Sequence, residues 1–178
     1  MSSKSKQIGV TFENKIAMDL RSVLGLSKFE CYRAGSSGIR AIEFADITFS
    51  DWIKYPILVE CKKRASLSLD NIWPFPTKEV LGWIDQVDHA RQKYLTEFPD
   101  MDPLVVLCMT RTYLRSPYTL IFEPYRFPTF PESGFQKIAK MIIPLHGVEH
   151  VVVSWWDILP FVKAFVVAHQ KGTNVDDR

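Results

Sequence analysis

Phe12, Ile16, Leu20, Val23 and Leu24 recur at helical spacing, and Gly25 follows them where a helix would end. This predicts a first helix over 12–24. Phe29 to Arg33 and Phe44 to Phe49 are short runs of strand-like composition, separated by the glycine- and serine-rich Ala34-Gly35-Ser36-Ser37-Gly38. After Pro56, the run Ile57-Leu58-Val59-Glu60-Cys61-Lys62 reads as a buried strand, because proline is tolerated at a strand's start and not in its middle. A basic cluster, Lys62-Lys63-Arg64, closes it.

Trp73-Pro74-Phe75-Pro76 reads as an ordered loop, and Thr77 is placed to cap a second helix running to about Leu95 with Val80, Ile84, Val87 and Tyr94 on its core face. Leu104 to Met109, Tyr118 to Phe122 and Val151 to Val153 read as three more strands, and Ile158 to Ala168 as a last helix. Residues 124–134 are a proline-rich loop, and the polar tail Lys171 to Arg178 is expected to be disordered. The order α, β, β, β, α, β, β, β, α predicts the α/β class, with one mixed sheet flanked by helices. A single domain over 1–178 is expected, its core over about 9–123 and a C-terminal strand and helix over about 148–170.

Length and composition narrow this further. With 178 residues, 47% of them hydrophobic, the chain can bury one core and is short for two domains. Cys31, Cys61 and Cys108 form no CxxC pair and leave an odd thiol, which argues against a disulfide framework and a cysteine-rich zinc site. A cytoplasmic location fits. The N-terminus has no apolar run, and no stretch approaches the roughly 20 apolar residues of a membrane span, so neither secretion nor membrane insertion is expected. Net charge is +2, which leaves a local basic patch as the only electrostatic pointer to nucleic acid.

The chemistry concentrates in the run 57–62. Strand alternation puts Glu60 and Lys62 on one face, at the end of an otherwise apolar strand, where a carboxylate and an ammonium must pair or meet a metal. A plain strand-end salt bridge would satisfy this. Asp46, in the preceding strand candidate, changes the weighting, since hairpin pairing would bring it beside Glu60. Two carboxylates on neighbouring strands suit Mg²⁺, which keeps several waters and takes further ligands from a substrate phosphate; Mn²⁺ is expected to substitute. Phosphodiester hydrolysis needs a metal that polarises phosphate and acidifies water, and a cation to offset developing charge. Asp46, Glu60 and Lys62 provide those parts. Glu13 is a separate anomaly: at about 100° per residue it falls inside the apolar arc of the first helix. It is either a helix-start glutamate favoured by the macrodipole or a carboxylate facing the site.

In this order, helix Phe12-Glu13, the loop Arg33-Ala34-Gly35-Ser36-Ser37-Gly38, Asp46-Ile47 and Val59-Glu60-Cys61-Lys62 resemble the Holliday junction resolvase branch of the PD-(D/E)XK nucleases over residues 9 to about 110. The resemblance implies a restriction-endonuclease-like core, a metal held by Asp46, Glu60 and the Cys61 backbone carbonyl with Glu13 completing the acidic cluster, and Lys62 as the catalytic lysine. It also implies that Arg33 and Ser36 or Ser37 contact the site or the DNA phosphates. Trp83-Ile84-Asp85-Gln86 is similar to phage-type resolvases that place a glutamine on the helix behind the site, which singles out Gln86 and a host cytoplasm if the chain is viral. Departures are Ala45 where the family name puts proline, Asn14 after Glu13 where some archaeal resolvases have arginine, and Arg33 lying 13 residues before Asp46.

The expected activity is therefore Mg²⁺-dependent cutting of four-way junctions by a homodimer. The alternatives are another PD-(D/E)XK task, such as restriction, nicking or end-processing, and a DNA-structure-binding protein without catalysis. Lys63 and Arg64, with Arg40, either form a basic rim for phosphate or are scattered surface charge. His146 and His150 are spaced for a shared metal but lie in a segment that Pro144 and Gly147 mark as a loop; solvated or structural histidines are the expectation. Trp73, Phe75, Tyr125, Arg126 and Phe127 are candidates for stacking on bases, with loop pinning the preferred reading. One indole of Trp155 and Trp156 is expected in the core.

Overall fold

The first helix ends where a left-handed residue is needed. In the computed structural model, which describes residues 3–35, 43–72, 76–111, 117–122, 141–145 and 148–173, α1 spans Ser3–Leu24. Gly25 follows with φ +71°, and Leu26 N–H donates to Arg21 O at 2.9 Å. That pairing closes a Schellman-type cap. The helix starts well before Phe12, over first turns whose polar sequence shows no apolar periodicity to read. Phe12, Ile16, Ala17 and Leu20 are buried.

The strands are β1 (Cys31–Arg33), β2 (Ile47–Phe49), β3 (Ile57–Arg64), β4 (Leu104–Arg111), β5 (Tyr118–Phe122), β6 (Met141–Leu145) and β7 (Val148–Ser154). They form one seven-stranded sheet ordered β1-β2-β3-β4-β5-β7-β6. Only β3 and β4 among these neighbours run parallel, from Ile57 opposite Leu104 to Arg64 opposite Arg111. This pair is joined through α2 (Lys78–Glu97), and its strands are buried on both faces, which is why both read as near-continuous apolar runs. The fold is α/β, a mixed sheet with helices against it, as a restriction-endonuclease-like core requires.

Thr77 caps α2 by accepting the Val80 N–H at 3.5 Å, and Val80, Trp83, Ile84, Val87, Ala90 and Tyr94 form its buried face. Tyr94 hydroxyl donates to Trp52 O at 3.1 Å, and Phe44 packs edge-on against Trp52 with ring centroids 5.1 Å apart. These aromatics tie the β2–β3 turn to α2. They also fix the stretch that carries Asp46.

Two expectations are corrected. Residues 141–145 form a strand despite Pro144, because β6 is the sheet's outer strand, where proline is tolerated. The last helix, α3, covers Trp155–Thr173, so Lys171 to Thr173 are helical rather than part of a disordered tail; residues 174–178 lie outside the described residues. Trp155 is the core indole, wholly buried, and its Nε1 donates to Asp19 Oδ2 at 3.0 Å. Lys15 Nζ pairs with the same oxygen at 2.7 Å and lies over the ring of half-exposed Trp156. α1 and α3 are thus joined by a satisfied buried carboxylate. No described helix is long and apolar enough to cross a membrane.

Candidate active site

Glu60 and Lys62 lie in the middle of β3 and project to one face, as period-two alternation requires. Lys62 Nζ lies 2.6 Å from Glu60 Oε1. The strand-end salt bridge is present, and it is not isolated. Ile47 of β2 stands opposite Val59, so Asp46 arrives beside Glu60. Asp46 Oδ2 accepts the Cys61 N–H at 2.8 Å. In a strand the N–H and C=O of one residue point to the same side, so the Cys61 carbonyl also leaves β3 toward Asp46.

Arg33 closes β1 opposite Ile47, and Ala34 N–H donates to Asp46 O at 2.8 Å. Antiparallel pairing therefore cancels the 13-residue separation between Arg33 and Asp46. Gly35 N–H donates to the Glu43 carboxylate at 2.5 Å. Arg33 Nη1 lies 3.6 Å from Glu13 Oε2, which gives the carboxylate inside the apolar face of α1 its partner.

The electrostatics are those of crowded carboxylates. Burial pushes the Glu60 carboxyl above the usual range, the charge of Asp46 and a hydrogen bond with it push the same way, and Lys62 opposes them. Glu13 is raised by burial first and by Asp46 second, against Arg33 and Lys62. Cys61 is buried, which together with its acidic neighbours lifts its thiol well above the ordinary value. Its observed link to the site is through the backbone N–H bonded to Asp46.

Above these groups lies a cleft of about 420 Å³. Arg33, Lys62, Lys63 and Arg64 line it against one carboxylate, Glu13. Asp46 and Glu60 are not in the lining; Cys61 and Lys62, to which they are bonded, are. Gln86 of α2 stands exposed on the wall beside Trp83. Trp83 was not singled out in this role, and the predicted core face of α2 left it out. The structure buries it in that face, and it also lines the cleft, with the Arg64 guanidinium carbon 5.6 Å from its ring centroid.

Among the described residues no group of three or more His, Cys, Asp and Glu side chains gathers in a metal-holding arrangement. The donors that do converge are two adjacent carboxylates and a backbone carbonyl. Hard oxygens of this kind, with a repulsion between Asp46 and Glu60 that a cation would relieve, fit a divalent metal such as Mg²⁺. Ser36, Ser37, Arg40, Trp73, Phe75, Tyr125, Arg126, Phe127 and His146 lie outside the described residues. His150 is buried in β7.

The model of a family described as phage putative PDDEXK endonuclease matches residues 4–113. That span is more than half of the 178 residues and includes α1, the paired carboxylates, Lys62 and α2. Neither the curated proteins nor the solved structures give a match.

Proposed function

Starting from the chain's membership of this phage PDDEXK family, which makes it an endonuclease of the PD-(D/E)XK type, we propose that it hydrolyses DNA phosphodiesters with Mg²⁺ and is selective for four-way junctions. The observation that carries the DNA reading is the pairing of Asp46 with Glu60 directly beneath a cleft lined by four cationic side chains. Selectivity for junctions is supported by the ordered resemblance of Glu13, the Arg33–Gly38 loop, Asp46 and Glu60-Cys61-Lys62 to the resolvases. A junction has two-fold symmetry and needs two cuts, so a homodimer with one site per subunit is part of the proposal.

Asp46, Glu60 and the Cys61 carbonyl would hold the metal, with Glu13 completing the acidic cluster. A bound divalent cation supplies Lewis acidity to the phosphate and lowers the pKa of water. Lys62, held by Glu60, donates a hydrogen bond to the attacking water or to a non-bridging phosphate oxygen and offsets the charge that develops there. Water gives up one proton and bonds through its oxygen to phosphorus as the bond to the leaving deoxyribose oxygen breaks, and that oxygen takes up a proton, so the proton count balances. Arg33 orients Glu13 and offers a second cation to the phosphate. Lys63 and Arg64 contact flanking phosphates, and Gln86 on the cleft wall offers an amide to the substrate. Ser36 and Ser37, which follow Arg33 in the sequence, are proposed as further phosphate contacts.

The test is incubation with Mg²⁺ and a labelled synthetic four-way junction, beside a linear duplex of the same sequence and an Asp46→Ala control. Paired symmetric cuts in the junction, absent from the control, support junction resolution. Cutting of both substrates at equal rates would replace it with a general nuclease task, and binding without cutting in any metal would refute the enzyme.

A further inference from the structure

β3 and β4 stay in parallel register to their last residues, so Arg64 and Arg111 are Cα partners at adjacent strand ends. Residues in register across a parallel pair project to the same face, with the strands about 4.8 Å apart. Two like charges set side by side in this way disfavour each other. Both residues are exposed, which lowers that cost without removing it.

Arg64 is held in this arrangement. Its Nε donates to Glu79 Oε1 at 2.5 Å, and its guanidinium lies over the Trp83 ring. Since Nε makes that contact, the terminal amino groups keep donors for another acceptor. The Arg111 guanidinium makes no hydrogen bond or ion pair among the described residues. The Glu79 carboxylate offsets part of that repulsion; an anion between the two arginines would offset the rest and use the donors that Glu79 leaves open. Arg64 lines the cleft, two residues along β3 from Lys62, or about 6.6 Å at strand rise. The anion would therefore sit next to the reacting group and outside it.

We infer that Arg64 and Arg111 form a clamp for one backbone phosphate of the bound DNA, adjacent to the scissile phosphate, with Glu79 and Trp83 as residues that position Arg64. This rests on the reading of DNA as substrate. It extends that site from β3 onto β4 and sets the path of the strand across the sheet end toward the start of α2.

The experiment is fluorescence anisotropy of the full-length protein with labelled DNA, four-way junction and duplex in parallel, in Ca²⁺ or EDTA to hold back cutting, over a series of salt concentrations. Arg64→Ala, Arg111→Ala and the double variant are compared with the parent. One shared phosphate predicts that each single variant weakens binding by about tenfold. It also predicts that the double variant lowers the slope of log affinity against log salt by only about 0.9, as for a single phosphate. Glu79→Gln, which frees Arg64 without removing a cation, should weaken binding while leaving the slope within error of the parent. A double variant with parental affinity overturns the clamp, and so does a slope loss of about 1.8, which means two separate phosphates. If the parent binds neither DNA, the DNA reading itself fails, and the clamp with it.

Discussion

Replacing Asp46 by alanine and by asparagine separates what this carboxylate does for the fold from what it does for chemistry. Its Oδ2 accepts the Cys61 N–H at 2.8 Å, at a point where β3 has no paired β2 residue beyond Val59. Asp46→Ala leaves that donor without its acceptor, a loss of roughly 1.5–3 kcal/mol for a hydrogen bond to a charged group. For a chain of this size that corresponds to a fall in Tm of roughly 3–12 °C. Asp46→Asn keeps an acceptor oxygen there and removes the charge that pushes the Glu60 carboxyl up. Its Tm should stay within about 2 °C of the parent, or rise. Thermal denaturation followed by circular dichroism in EDTA gives the stabilities, and cleavage in Mg²⁺ gives the chemistry, where both variants should lose at least about 10²-fold in rate. Equal destabilisation by Ala and Asn would refute the role of the Cys61 bond. An asparagine variant that cuts at the parental rate would refute the role of the charge.

Lys62→Ala should lower the cleavage rate by roughly 10²-fold or more while DNA affinity falls by a much smaller factor, measured by single-turnover kinetics beside anisotropy. Burial pushes the Cys31 thiol up to about 12 from its ordinary 9.0. A thiol raised on folding contributes stability that is intact below about pH 9 and lost as pH climbs toward 12, by at most roughly 4 kcal/mol. The urea midpoint should therefore drop between pH 9 and 11 less steeply in Cys31→Ala than in the parent, and equal slopes would discount Cys31. Trp155→Phe removes the indole donor to Asp19 and should cost roughly 1.5–3 kcal/mol in urea unfolding; an unchanged midpoint would mean that Lys15 alone satisfies that carboxylate.

Much of the site was legible because it is local. Alternation in a single strand was enough to put Glu60 and Lys62 on one face, and the short connection between β2 and β3 was enough to bring Asp46 beside them. The second helix was legible through Thr77 and a regular apolar stripe. Arg33 was harder, since its place beside Asp46 depends on β1 pairing with β2 across a long excursion that no spacing rule encodes. The strand over 141–145 was obscured by Pro144, which argues against a strand except at a sheet's outer edge, and edge position is a property of the whole topology. The first turns of α1 carry a run of polar residues, Ser3-Lys4-Ser5-Lys6-Gln7, with no apolar periodicity to read. The Arg64–Arg111 pairing depends on parallel register between strands separated by a whole helix, and nothing in either strand alone announces it.

The most direct test of the central claim uses a closed circular plasmid carrying an inverted repeat that extrudes a four-way cruciform, a substrate without ends. The parent protein should convert it to nicked and linear forms in Mg²⁺, stop when EDTA is added, and leave it intact when Glu60 is replaced by glutamine. Plasmid that stays closed under conditions where the protein binds it, or a Glu60→Gln variant that cuts as fast as the parent, would contradict the assignment of this site as the nuclease centre.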